Sequence, residues 1–74
     1  MATTLVEKAR KLGRAEAAVY RQEFGVDPAR DADPDGMVEG VWECEAKVLM
    51  QDAGMTEAEH DACKAAFRAA LLGD

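Results

Sequence analysis

Isoleucine, serine and asparagine are absent from the 74 residues, and Leu, Val and Phe together number only 13. So few large apolar side chains in so charged a chain fall below the roughly 20% at which composition begins to suggest disorder. There is no serine for a Ser/His/Asp set, no glycine-rich phosphate loop and no basic patch interleaved with aromatics. Those gaps argue against an enzyme and against direct nucleic-acid binding, as does the net charge of −6. No apolar run approaches the roughly 18 residues of a membrane span. Glu7, Lys8, Arg10 and Lys11 interrupt any signal-peptide core near Met1, which predicts a cytoplasmic protein without a membrane partner. Cys44 and Cys63 are too few for a disulfide scaffold and lack Cys-x-x-Cys spacing. On adjacent antiparallel helices a disulfide between them is geometrically conceivable, but they read as reduced thiols acting as small apolar residues.

What is present is alanine, acid and helical punctuation. Fifteen residues are alanine. Thr4 with Glu7, and Thr56 with Glu59, have capping-box spacing. Asp33 before Pro34 reads as an N-cap and first helical residue, and Gly25, Gly54 and Gly73 as C-terminal stops. These signals predict an all-α single domain over residues 1–74: a helix over 4–24, a connecting loop over 25–33 and a helical hairpin over 34–72. Leu5, Ala9, Leu12, Val19, Tyr20 and Phe24 fall on one face of the first helix, with Gly13 where a neighbouring helix comes close. Val38, Val41, Trp42, Val48 and Leu49 line the second helix, and Cys63, Ala66, Phe67, Ala70 and Leu71 the third. The short Gly54-Met55-Thr56 hinge predicts an antiparallel hairpin. A bundle this small buries only roughly 60% of its unfolded surface. With so few large side chains, completion by a second copy or by another protein is expected.

Charge is segregated. Residues 25–63 hold eleven acids and two bases, whereas residues 1–24 hold three acids and five bases. The acidic segment predicts a non-enzymatic interaction module, a regulator or inhibitor docking an acidic helical face on a basic protein surface. One form is a nucleic-acid mimic of the phage-encoded or accessory type. The candidate contact residues are Glu39, Trp42, Glu43, Glu45 and Asp52, with Trp42 either an interface anchor or the central core residue.

Two rival readings come from other classes. Asp31-Ala-Asp33-Pro-Asp35-Gly36 matches the first six positions of a calcium loop. Its twelfth position is Trp42 where a bidentate Glu belongs, so Asp31, Asp33 and Asp35 are weak metal candidates, and no resident cofactor is expected. Glu16, Glu45 and Glu59 with His60 are the ingredients of a carboxylate metal site, but no Glu-x-x-His pair accompanies them. His60, three residues before Cys63, has no third residue to orient it for thiol chemistry. The last reading is an accessory subunit of a larger enzyme, which needs no chemistry of its own.

Overall fold

The computed structural model describes residues 2–46, 48 and 54–73. Among them it is all-helical, with no strand and three helices. Helix α1 spans Ala2–Phe24, followed by a short 3₁₀ turn, Pro28–Arg30. Helix α2 spans Pro34–Val41 and runs on into a π-helical turn, Trp42–Ala46. Helix α3 spans Glu57–Leu71. The expected continuation of the second helix to Ala53 lies, apart from Val48, outside the described residues beyond Ala46. None of the described helices is long and apolar enough to cross a membrane.

The caps explain most of the boundaries. Asp33 accepts from the Gly36 amide at the start of α2, with Pro34 in the first turn. Thr56 and Glu59 close a full capping box at the start of α3. Gly25 adopts φ 72° and its amide reaches the Arg21 carbonyl at 2.8 Å, ending α1 in the left-handed turn that glycine permits. The capping box expected at Thr4 does not form. The helix begins at Ala2, so Thr4 lies inside it, and Glu7 pairs instead with Arg10 one turn on.

Helix α1 packs against α3 through small residues. Ala9, Gly13 and Ala17, four apart, are all buried. A Cβ on Gly13 would stand 2.6 Å from the Phe67 carbonyl oxygen and 2.8 Å from the Ala70 Cβ. The two backbones therefore meet almost directly, which is the close approach that Gly13 implied. Three contacts register α2 against α3. Asp35 pairs with Arg68, Glu39 pairs with Lys64, and the Trp42 indole N–H donates to His60 Nε2 at 3.3 Å. As α2 positions rise, α3 positions fall, so the two helices run antiparallel. Trp42 fills the space between them at 0% exposure, with ring centroids 5.3 Å from both Phe67 and His60.

The π turn corrects the second stripe. The expected apolar stripe followed α-helical phase from Val38, Val41 and Trp42 to Val48. A π turn inserts about one extra residue, so the face advances from Val38 and Trp42 to Ala46, which is buried. Glu45 turns outward and Val48 is 61% exposed. On α1 the stripe also ends early. Val19 and Phe24 are 48% and 63% exposed.

Candidate functional site

Those exposed α1 residues form one wall of a groove of about 380 Å³ between α1 and α2. Val19, Phe24, Met37, Val41 and Leu71 supply its apolar surface. Tyr20 stacks on Phe24 with centroids 4.6 Å apart and donates its hydroxyl to Asp31 at 2.7 Å. That hydrogen bond, with the one from the Asp33 amide, holds the Asp31 carboxyl below its usual range. It also raises the Tyr20 phenol.

Four carboxylates, Glu16, Glu23, Asp31 and Glu45, line the groove, and among the described residues no Lys or Arg does. Glu16 and Glu45 meet at the groove, a contact that favours the protonated form of Glu16. Together with burial and the charges of Glu45 and Glu23, it pushes Glu16 up to about 7. The π turn creates this pair by turning Glu45 away from the core and onto the rim.

The remaining candidates scatter. Trp42 is buried against Phe67 and His60, so it is the central core residue and not an interface anchor. Glu39 is exposed and paired with Lys64, on a different side of α2 from the groove. Glu43 is exposed and already engaged within the chain. Asp52 lies outside the described residues. Of the four contact candidates among the described residues, only Glu45 reaches the groove.

The calcium-like aspartates are each occupied. Asp31 holds Tyr20 and the Asp33 amide, Asp33 caps α2, and Asp35 pairs with Arg68. The second carboxylate set also divides. Glu16 meets Glu45, while Glu59 is spent on the Thr56 cap and His60 Nε2 on Trp42. Among the described residues no three His, Cys, Asp or Glu side chains converge to hold a metal ion. Cys63 is buried, and that burial raises its thiol, so it does not offer a thiolate. Cys44 is free and exposed on the groove wall.

Sequence reasoning missed Glu23, Phe24 and Gly40 as neighbours in one site. One signal was present. Gly40 interrupts a helix, yet a Cβ there would meet nothing within 4 Å. Comparison with known protein families, curated proteins and solved structures finds no match to this chain.

Proposed function

We propose that this chain is a small, acidic, non-enzymatic interaction module that docks a carboxylate-bearing helical face on a basic surface of another protein, regulating or inhibiting it. The observation that carries this reading is the unbalanced charge around the α1–α2 groove. Arg10, Arg21, Lys64 and Arg68 are spent on Glu7, Asp27, Glu39 and Asp35. Glu16, Glu23, Asp31 and Glu45 form no ion pair among the described residues. Glu16 and Glu45 stand close enough to raise the Glu16 carboxyl, and no described cation offsets them.

A hetero-complex fits this charge better than a homodimer. A second copy would bring another net −6 and the same acidic rim to the contact. An exposed free thiol at Cys44 suits a reducing, cytoplasmic setting. The test is affinity capture of partner proteins by wild type and by a Glu16→Gln, Glu23→Gln, Glu45→Gln variant. Capture of basic proteins that falls steeply with added salt, and falls again with the variant, is the expected result. Capture indifferent to both changes refutes the reading, because a rim of exposed charge is screened within about 10 Å at 0.1 M salt.

A further inference from the structure

We infer that the α1–α2 groove is a docking site for one amphipathic helix of a partner protein, its apolar stripe seated on Val19, Phe24 and Val41 and its Lys or Arg residues facing Glu16, Glu23, Asp31 and Glu45. The inference rests on the acidic-module reading above and narrows it to one groove and one kind of occupant.

Departures from local folding rules collect at this one place. Gly40 sits in α2 without a steric reason, since a side chain there has open space. Gly13, by contrast, is demanded by the α3 backbone. Gly40 lines the groove, and a side chain at that position would occupy it. The π turn breaks α-helical phase beside the same groove and delivers Glu45 to its rim; such turns recur at functional sites. Phe24 and Val19 stay exposed on the opposite wall, whereas Ala9, Gly13 and Ala17 are buried and Leu5 and Leu12 partly so. Glu16 and Glu45 are brought together on the groove with no described cation lining it. Local rules that fail together at one site mark function more often than chance.

The shape and charge select the occupant. The walls are two helices, so a third helix laid between them presents residues at i, i+3, i+4 and i+7 to the apolar strip. Four carboxylates line the groove and no described Lys or Arg does, which disfavours an acidic segment and favours a basic one.

The probe is a synthetic peptide of roughly 18 residues, long enough to form a helix on binding, with leucines on one helical stripe and lysines elsewhere. One control has the same composition with the leucines scattered, and another has glutamate in place of lysine. Binding is read by fluorescence anisotropy and by protection of Cys44 from maleimide. The groove-filling Gly40→Leu and the wall-removing Phe24→Ala are expected to weaken the amphipathic basic peptide about tenfold or more. Both should retain helical circular dichroism and a cooperative melt; Phe24 is 63% exposed, so its truncation leaves the core intact even if Gly40→Leu perturbs the fold. Wild-type affinity in both variants, or equal binding of the scattered peptide, overturns the groove while leaving the acidic module standing. Failure of every basic peptide to bind overturns both. Sedimentation of the free protein as a dimer that shields Cys44 assigns the groove to a second copy and also overturns the inference.

Discussion

Gly13 and Gly40 both interrupt helices, and substituting alanine at each should have opposite effects. In an exposed helix the change gains about 0.5–1 kcal/mol, because alanine has the better propensity and restricts the unfolded chain. Gly40 has open space around its would-be Cβ, so Gly40→Ala is expected to stabilise by that amount. At Gly13 the same methyl meets the Phe67 carbonyl at 2.6 Å, the Ala70 Cβ at 2.8 Å and the Leu71 amide nitrogen at 3.2 Å. Two of these are backbone atoms of α3, so no side-chain rotation relieves the clash and the helices must separate. Overpacking of this kind costs about 1–3 kcal/mol, and more where backbone must move. It exceeds the propensity gain, leaving a net loss of about 1–2 kcal/mol. A domain of this size has only about 4–11 kcal/mol in total, and each kcal/mol shifts its melting temperature by about 4–8 °C. Urea denaturation followed by circular dichroism gives both numbers as midpoint changes at constant slope. A Gly13→Ala protein as stable as wild type would falsify the close α1–α3 seam.

Three further outcomes follow from the same structure. Trp42→Ala should cost about 3–5 kcal/mol and, in so small a domain, leave little cooperative unfolding by calorimetry; a clean melt near the wild-type temperature would return Trp42 to the surface. Glu16 binds its proton up to about pH 7 when folded but only to about 4.5 when unfolded, so the folded chain holds more protons between those values. Stability should therefore decline as pH rises from 4.5 to 7, by about 1 kcal/mol once solvent screening of a partly exposed group is allowed for. Glu45→Gln should flatten that decline, and an unchanged pH–stability curve for the variant would dissolve the pair. Maleimide should label Cys44 quickly in the folded protein and Cys63 only after denaturation; mass spectrometry after a short pulse distinguishes one adduct from two.

Much of the fold was legible because its signals are local. Asp33-Pro34, the Thr56–Glu59 box and the glycine at position 25 act within one turn of where they sit, and the structure uses each. Gly13 was legible because a helical glycine on an apolar face has few other reasons to exist. The groove was not. It depends on a π turn, and no residue in Trp42–Ala46 announces one; α-helical phase carried past Trp42 puts Glu45 on the core side and Ala46 off it. Trp42 itself was ambiguous from sequence, since a large amphipathic ring suits both a core and an interface. Thr4 misled because a capping box describes compatible chemistry, and the residues before it, Ala2 and Thr3, are also good enough to be helical.

The Ala9–Gly13–Ala17 seam has a thermal consequence. Alanine and glycine have no rotamers to freeze, so burying them gives up none of the roughly 0.5–1 kcal/mol of side-chain entropy that each buried leucine loses. They also bring little apolar surface out of water, and it is apolar surface that gives unfolding its large heat capacity. A domain held by such a seam should have a shallow stability curve, changing little between cold and warm. Its low hydrophobic content then appears as insensitivity to temperature, at the expense of a high maximum.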